Sequence, residues 1–329
     1  MPQHPIPEPI IIPLKSNSAI ASQTAAIAEP STDLRQLRVE EFLQARSLQP
    51  KSCKAYQRDL QLLMNWTDTG WNQVTRRQVA QFKQYLLEEK RLAPSSVNRT
   101  LQTVKTFFKW LARSGYITTD PTTEVQQERV PEPKAKDLEM AEVESIYAAI
   151  EQRPWKERDR ALWSVLLHGL RAEEVSNLNI ADYTGHELVV RQAKHDSTGE
   201  VPLTVEGKTD LDSYLQWMAI QQGKTPSPDQ PLFVSFSPRS QGHRLIYWGI
   251  RQIVDQLAIS TGTDLHSHRG RHTFATRLVV DLEMDPTLAM ELTRHRDPQS
   301  FKRYTNRKTQ IAAKRAFLKA TGQLPKDDT

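Results

Sequence analysis

The chain has 329 residues, enough for two domains with separate cores, and its 38% hydrophobic and 25% charged residues are typical of a soluble globular protein. Cys53 is its only cysteine, which excludes a disulfide framework within one chain, and the apolar runs are too short to span a bilayer. The N-terminal residues lack the pattern of a secretory signal, so we expect a cytoplasmic protein, and the net charge of +5 leans only slightly towards an anionic partner.

The N-terminal part of the chain changes from an irregular segment to a helical one. Residues 1–30 hold six prolines and show neither a helical nor an alternating period, which predicts a disordered arm. Residues 31–125 show a helical period, and we expect a helical domain in which Thr75 caps the third helix and Gly115 ends the fourth. The four helices are predicted over Leu34 to Phe42, Ser52 to Trp66, Val74 to Leu87 and Pro94 to Gly115.

This helical domain also holds the positive charge of the chain. Residues 31–125 carry 15 Lys and Arg against 9 Asp and Glu, whereas residues 126–329 are neutral. Lys105, Lys109 and Arg113 are spaced by four and therefore form one cationic stripe on the fourth predicted helix. We interpret the stripe as a surface for DNA phosphates; a solvated helix face, with a surplus that serves only solubility, is the alternative.

A short linker is expected to separate this domain from a second one. Alternating charges with Pro131 and Pro133 predict the linker at residues 126–137, and a second domain follows at residues 138–329. Two short strands of the second domain are expected to form a hairpin that contains Lys194. The expected order is an apolar helix Ala161 to Leu170, strands Glu187 to Ala193 and Glu200 to Leu203, helix Val205 to Ile220, a loop at 223–231, further helix to Ala258, helical segments interrupted at Pro286 and Pro298, and a last helix Gln310 to Ala320.

Six residues of the second domain have the chemistry that DNA strand transfer requires. Two arginines can hold a phosphate and stabilise a doubly negative, five-coordinate phosphorus without a metal. A tyrosine hydroxyl is a nucleophile that needs a neighbouring base, and histidines transfer protons near neutral pH. Lys194, in a flexible hairpin, can protonate the leaving oxygen. In chain order the six candidates are Arg171, Lys194, His268, Arg271, His295 and Tyr304.

Each candidate has a simpler explanation when it is taken alone. Arg171 follows a helix and is by default a capping or surface residue. Tyr304 is by default an aromatic residue packed in the core or at an interface, and Lys194 a solvated residue of a turn. His268 and His272 are four residues apart and fit a metal pair on a helix, but neither a glutamate after His268 nor a nearby cysteine supports zinc. The order of the candidates and their flanking sequences favour the catalytic interpretation.

Several stretches of both domains carry a resemblance to a known family. The chain resembles tyrosine recombinases of the phage integrase family, of the simple two-domain type represented by Xer and Cre, over roughly residues 35–320. In the second domain the matching stretches are His168 to Val175, Lys194 ahead of Val201-Pro202-Leu203, His268 to Thr276, and His295 followed by Tyr304. In the first domain they are Lys51 to Tyr56, Leu92 to Arg99, and Gly115 to Ile117 before Asp120-Pro121.

The resemblance implies a fold, a reaction and an assembly. The fold is mainly α with a small β-hairpin: a helical, SAM-like core-binding domain and an α+β catalytic domain. The reaction cleaves and rejoins double-stranded DNA at a recombination site through a 3′-phosphotyrosyl bond, with no metal or other cofactor. The assembly is a homotetramer on two duplexes, formed by subunits that are monomeric or weakly associated off DNA, with the last helix docked on a neighbouring protomer.

The resemblance also implies a role for each candidate residue. Tyr304 is the expected nucleophile, and Arg171 and Arg271 are expected to hold the scissile phosphate. Lys194 is the expected general acid and His268 the general base. His295 is expected to donate a hydrogen bond to the phosphate, and Glu174 to support the site. Independently of the resemblance, the residues expected to bind DNA are Arg99, Lys105, Lys109 and Arg113.

The chain departs from the family pattern at two places in the second domain. Before His295 the family usually has Leu-Gly, and this chain has Thr293 and Arg294. Before Arg271 the family usually has leucine, and this chain has Gly270. Neither departure removes a catalytic group, and Arg294 adds a cation beside the expected phosphate site.

Two other functions are open on sequence grounds. A type IB topoisomerase shares the tyrosine and arginine chemistry, but the helical domain and the helix after Tyr304 favour recombination. A DNA-binding factor that has lost cleavage is disfavoured by the intact set of catalytic groups. The sequence specifies neither the DNA target nor the choice among integration, excision, transposition and dimer resolution.

Overall fold

In the computed structural model of the protein, the described residues are 33–131, 136–191 and 198–323, and they divide into two units, the first of which ends at Pro131. The arm predicted at residues 1–30 and part of the predicted linker lie outside the described residues. Within the described ranges, no helix combines the length and the apolar character needed to cross a bilayer. Both units are mainly helical, as the sequence predicts.

The first unit consists of four helices around an aromatic core. Thr75 accepts a hydrogen bond from the backbone N–H of Gln78 and so caps the third helix, which confirms that prediction. Gly115 takes a φ of +76° after the fourth helix, as predicted for a left-handed C-terminal residue. Phe42 and Phe107 are fully buried in the core, with ring centroids 5.2 Å apart. The helices are α1 Leu34–Gln44, α2 Pro50–Trp66, α3 Arg76–Glu88 and α4 Pro94–Arg113.

The second unit combines eight helices with one small antiparallel sheet in its described residues. The two strands pair as predicted, with the buried Leu188 opposite the buried Val201, and a short 3₁₀ helix at Ile180–Asp182 precedes them. The elements are α5 Met140–Glu151, α6 Lys156–Leu167, α7 Ala172–Asn177, β1 Glu187–Val190, β2 Gly199–Pro202, α8 Val205–Gln222, α9 Tyr247–Thr261, α10 Ser267–Val280, α11 Pro286–Thr293 and α12 Pro298–Ala320.

Helix α10 is the element around which the later helices of the second unit are arranged. One side of α10 packs against the buried helix α6. At Gly270 the two helices approach so closely that a β-carbon would lie 2.7 Å from the carbonyl oxygen of Leu166. The other side of α10 shares a small apolar cluster with α11 and α12, which includes Leu278, Ala289 and Phe301. This packing brings the C-terminal helix back to the centre of the unit.

The prediction of a helix from residue 232 to Ala258 is wrong over its first part. Helix α9 begins only at Tyr247. In residues 232–246, Val234 and Arg244 instead form an isolated antiparallel bridge. Gly242 has a φ of +78° in the turn between them, a left-handed conformation that interrupts a helix and that glycine adopts without a steric penalty.

The predicted start of the last helix is wrong. It was expected over Gln310 to Ala320, but α12 starts at Pro298 and runs without interruption through Tyr304. Asp297 caps the start of α12, and no glycine or proline follows Pro298 within it, so nothing in the sequence ends the helix earlier. Tyr304 therefore lies inside a helix rather than in a segment that precedes one.

Candidate active site

A sharp turn after α6 positions the first part of the site. Gly169 has a φ of +83°, and a β-carbon there would lie 2.6 Å from the ring of Phe274, so only glycine fits without strain. The turn directs the carbonyl oxygen of Gly169 to Nη1 of Arg271, which donates a hydrogen bond of 2.6 Å. Arg171 follows two residues later as the N-terminal cap of α7. The turn thus brings two elements of the predicted site together.

Arg271 is a buried cation in α10. Its Nη2 donates to the carbonyl oxygen of Thr293 and lies 3.5 Å from Nδ1 of His295. The residue is 1% exposed, and its Nε is buried with no partner among the described residues. Burial and the nearby charge of Arg171 lower the pKa of Arg271 to about 9. A buried guanidinium with an unpaired donor is a favourable place for an anion.

Glu174 connects Arg171 with a second arginine. Its Oε1 accepts a hydrogen bond of 2.6 Å from Nη1 of Arg171, and its Oε2 accepts one of 2.9 Å from the Arg171 backbone N–H. Oε2 also accepts a hydrogen bond of 2.7 Å from Nη2 of Arg294. The Glu174 side chain is 2% exposed, whereas that of Arg171 is 30% exposed. The carboxylate therefore fixes Arg171 while part of the Arg171 side chain stays exposed.

Three histidines near Arg271 are held in the neutral form. Burial and then the charge of Arg271 lower the pKa of His268 to about 4 and that of His295 to about 3. Burial and then His268 lower the pKa of His272 to about 3. Nδ1 of His295 lies 2.6 Å from Oγ1 of Thr293, which fixes the ring. Neutral imidazoles can accept a proton or donate a hydrogen bond, as general acid–base chemistry requires.

Tyr304 points inwards from α12. Its hydroxyl lies 2.5 Å from Nδ1 of His272, and its ring centroid is 6.0 Å from that of His295. The residue is 1% exposed. Burial raises the pKa of Tyr304 to about 12, and the positive charge of Arg271 acts in the opposite direction. The hydroxyl is therefore protonated at neutral pH in this structure and close enough to Arg271 to respond to its charge.

The structure brings together all of the predicted catalytic residues that it describes. Lys194 lies outside the described residues. His272 is the partner of Tyr304, and sequence reasoning considered it only as half of a metal pair. Its place four residues after His268 was the signal that both rings share one face of a helix. The residues brought together are Arg171, His268, Arg271, His295 and Tyr304.

The metal alternative finds no supporting cluster. Among residues 33–131, 136–191 and 198–323, no group of three or more His, Cys, Asp or Glu side chains could hold a metal ion. Nδ1 of His272 is also engaged with the hydroxyl of Tyr304. The histidines of α10 are thus arranged around a phenol and a guanidinium.

The cationic stripe of the first unit borders an open groove. Lys105, Lys109 and Arg113 line it together with Arg46, and its volume is about 670 Å³. Lys109 and Arg113 are exposed, while Lys105 is half-buried. Their shared face on α4 agrees with the spacing of four, and their role in DNA binding stays a prediction.

Arg99 has a structural partner that the sequence did not reveal. It forms an ion pair with Asp59, whose side chain is 2% exposed, and the hydroxyl of Thr103 donates to the same carboxylate at 3.0 Å. The Arg99 side chain is 46% exposed. It therefore neutralises a buried charge on α2 while part of it faces solvent, and its role in DNA binding also stays a prediction.

Two family models match the chain, one in each unit. The model described as the phage integrase family matches residues 136–310, and that of the phage integrase N-terminal SAM-like domain matches residues 39–115. Similar proteins include the tyrosine recombinase XerD of Proteus mirabilis, 30% identical over 87% of this chain and 94% of that protein. The tyrosine recombinase XerC of Lactobacillus leichmannii is 28% identical over 79% of this chain and 90% of that protein.

Solved structures share the fold at lower identity. A lambda integrase dimer bound to a COC′ core site has a TM-score of 0.66 and 17% identity, over 82% of this chain and 94% of that chain. A lambda integrase tetramer bound to a Holliday junction also has a TM-score of 0.66 and 17% identity, over 82% of this chain and 76% of that chain. The Tn1549 transposon integrase in complex with circular intermediate DNA has a TM-score of 0.66 and 16% identity, over 82% of this chain and 94% of that chain.

Proposed function

Because this chain belongs to the phage integrase family, as a tyrosine recombinase that acts in site-specific DNA recombination, we propose that Tyr304 is its nucleophile. Arg171 and Arg271 hold the scissile phosphate, with Glu174 supporting Arg171. His268 is the general base and His295 donates a hydrogen bond to the phosphate. Lys194, outside the described residues, is proposed as the general acid on the resemblance alone.

The proposed step exchanges one phosphate ester for another. Oη of Tyr304 attacks the phosphorus, and the bond to the 5′-oxygen of the next nucleotide breaks as that oxygen takes up a proton. The products are a 3′-phosphotyrosyl bond and a free 5′-hydroxyl, and attack by a 5′-hydroxyl reverses the step. Negative charge grows on the phosphorus oxygens in the transition state, where Arg171 and Arg271 stabilise it.

One observation carries this proposal: residues more than a hundred positions apart in the chain converge on one buried cation. Nη2 of Arg271 is 3.5 Å from His295, the ring of His295 is 6.0 Å from that of Tyr304, and the charge of Arg171 acts on Arg271. Packing alone does not require two arginines, neutral histidines and a tyrosine hydroxyl at one point, because buried charges are costly.

The buried hydroxyl of Tyr304 sets a condition on the reaction. While it is bonded to His272 and its pKa is about 12, the hydroxyl is a poor nucleophile at neutral pH. Attack therefore requires the hydroxyl to exchange its contact with His272 for the phosphate. Placing the proton on a nearby neutral histidine, His268 in our proposal, then makes the oxygen reactive.

We propose double-stranded DNA carrying a recombination site as the partner, bound by four copies of the chain across two duplexes in the cytoplasm. The DNA-bound dimer and junction-bound tetramer of lambda integrase support this by similarity of fold. The exposed Phe317 on α12 supplies an apolar contact for a neighbouring copy. Lys105, Lys109 and Arg113 are proposed to contact DNA phosphates.

A nicked suicide duplex tests the reaction. DNA selected for binding from a random library would carry a nick beside the cleavage position, so that the cleaved fragment diffuses away and the adduct accumulates. We expect wild-type protein to give a covalent adduct on a denaturing gel, and Tyr304→Phe to bind the DNA equally but give none. An adduct from Tyr304→Phe would refute the assignment of the nucleophile. Relaxation of a supercoiled plasmid that lacks the selected site would favour a topoisomerase instead.

A further inference from the structure

Arg294 occupies a position where the backbone favours glycine. It ends α11 with a φ of +54° and a ψ of +42°, which is the left-handed region. Residues with a β-carbon adopt this conformation at a cost, and helices commonly end in it with glycine. The family usually has glycine before the histidine that corresponds to His295. This chain therefore accepts backbone strain in order to place an arginine side chain here.

The side chain of Arg294 is buried but only partly paired. It is 4% exposed, and its Nη2 donates to Oε2 of Glu174 at 2.7 Å. Its Nε and Nη1 are buried with no hydrogen-bond partner among the described residues. Burial lowers the pKa of Arg294, although Glu174 opposes the shift. Unpaired buried donors on a cation are rare in folded proteins, because each of them has lost its water.

Arg294 adjoins the guanidinium that we assign to the phosphate. Nη2 of Arg271 donates to the carbonyl oxygen of Thr293, the residue directly before Arg294, and Glu174 links Arg294 with Arg171. Nε of Arg271 is likewise buried without a partner within the described part of the chain. Two guanidiniums thus share the carboxylate of Glu174, the guanidinium of Arg271 responds to its charge, and the unpaired donors belong to Arg271 and Arg294. The three arginines and the one glutamate together carry an excess of positive charge, which a bound anion would balance.

We propose that Arg294 is a third phosphate-binding guanidinium, which contacts a non-bridging oxygen of the scissile phosphate through Nε and Nη1. The inference rests on the proposed function of the site. Three arginines and Glu174 leave a net charge of plus two, which matches the doubly negative transition state of phosphoryl transfer. With glycine at position 294, Arg171, Arg271 and Glu174 would leave a net charge of plus one.

The test compares two substrates that differ in charge at the scissile position. One suicide duplex carries the natural phosphodiester. The other carries a methylphosphonate, in which a methyl group replaces one non-bridging oxygen and the negative charge of the ester is lost. We expect Arg294→Gly to slow adduct formation on the phosphodiester about a hundredfold, as for loss of one transition-state donor. On the methylphosphonate the defect should shrink to below about tenfold, because less charge develops there. Arg296→Gln, which removes an exposed charge two residues away, is the matched control and should react at nearly the wild-type rate.

Each outcome decides between the inference and its alternatives. A wild-type rate for Arg294→Gly, or an equal defect on both substrates, would overturn the inference, since the latter is the result of a structural role through Glu174. An equal defect in Arg296→Gln would indicate a general loss of DNA attraction and would also overturn it. If the glycine variant does not fold, Arg294→Gln, which keeps a donor for Glu174, gives the same comparison. Failure of the proposed function itself is distinguishable, because wild-type protein would then form no adduct through Tyr304.

Discussion

A substitution that adds one methyl group where α10 meets α6 tests whether close helix packing positions the residues of the site. In Gly270→Ala, the new β-carbon would lie 2.7 Å from the carbonyl oxygen and 2.9 Å from the carbonyl carbon of Leu166. Both are backbone atoms of a buried helix, so neither can rotate away. Overpacking of this kind costs about 1–3 kcal/mol. The contact matters for the site because Arg271, the next residue, must reach the carbonyl oxygen of Gly169.

Gly249→Ala supplies a matched control for the helix propensity of alanine. Gly249 lies in the first turn of α9, as Gly270 does in α10, so both variants gain a similar stabilisation of up to about 1 kcal/mol. At Gly249 the β-carbon would meet the end of the Leu245 side chain, Cδ1 at 2.7 Å, which can change rotamer. We therefore expect Gly270→Ala to be less stable than Gly249→Ala by about 1–3 kcal/mol.

Thermal unfolding of the full chain measures this difference. For a domain of this size, 1 kcal/mol shifts Tm by about 2–4 °C. The rate of adduct formation on the suicide duplex should fall in Gly270→Ala and stay near wild type in Gly249→Ala. Equal stability of the two variants would refute the reasoning, because it would show that α10 has room to move away from Leu166 at no cost.

Three further predictions concern the remaining groups. His272→Leu and Tyr304→Phe should each cost about 1–3 kcal/mol, because each leaves a buried polar group unpaired, and a double-mutant cycle by urea unfolding should show a coupling of about 1 kcal/mol. The free energy of unfolding should decrease as the pH falls from about 6.5 towards about 4, because His268, His272 and His295 stay neutral in the folded protein but bind protons when it unfolds. Urea titrations at several pH values measure this decrease. Arg99→Ala should destabilise the protein by more than about 1 kcal/mol by leaving Asp59 buried without its cation, whereas Lys109→Ala should change stability by less than about 0.5 kcal/mol and weaken DNA binding in a salt-dependent way.

Each of these has a result that would contradict it. Additive effects of His272→Leu and Tyr304→Phe would mean that the two side chains do not share a hydrogen bond. A free energy of unfolding that is constant between about pH 7 and pH 5 would mean that the histidines titrate normally in the folded protein. A stable Arg99→Ala variant with weakened DNA binding would assign Arg99 to DNA rather than to Asp59.

The helices of the first unit could be predicted because their apolar residues recur at helical spacing and their ends carry clear signals. Thr75 and Gly115 mark helix ends through local chemistry that needs no tertiary information. The helix predicted over residues 232–246 was wrong because short apolar runs fit a helix or an extended segment equally well. Only the bridge of Val234 with Arg244 in the folded protein decides between the two.

In the candidate site, too, features that depend on local sequence could be predicted, whereas contacts that depend on tertiary packing could not. The chemistry of Arg171, Arg271 and Tyr304 could be inferred from residue type and order. The partner of Tyr304 could not, because α12 returns to α10 through packing that no spacing in the sequence reveals, so His272 was weighed only as a metal ligand. The pairing of Arg99 with Asp59 was hidden for the same reason, since the burial of a single carboxylate is not a sequence property.

Arg271 and His268 of the proposed site are held in the folded chain at an electrostatic cost. Burial and the neighbouring arginines lower the pKa of Arg271 and keep His268 neutral, so each would be more favourably solvated in the unfolded chain. A phosphate in the site would reverse the sign of the field that these groups experience, because its charge attracts the guanidiniums and raises the pKa of a neighbouring imidazole. The substrate would then stabilise Arg271 and also make His268 a stronger base for the proton of Tyr304. In the proposed site, the electrostatic cost carried without DNA would therefore be recovered as affinity for a phosphate and as a greater capacity of His268 to accept a proton.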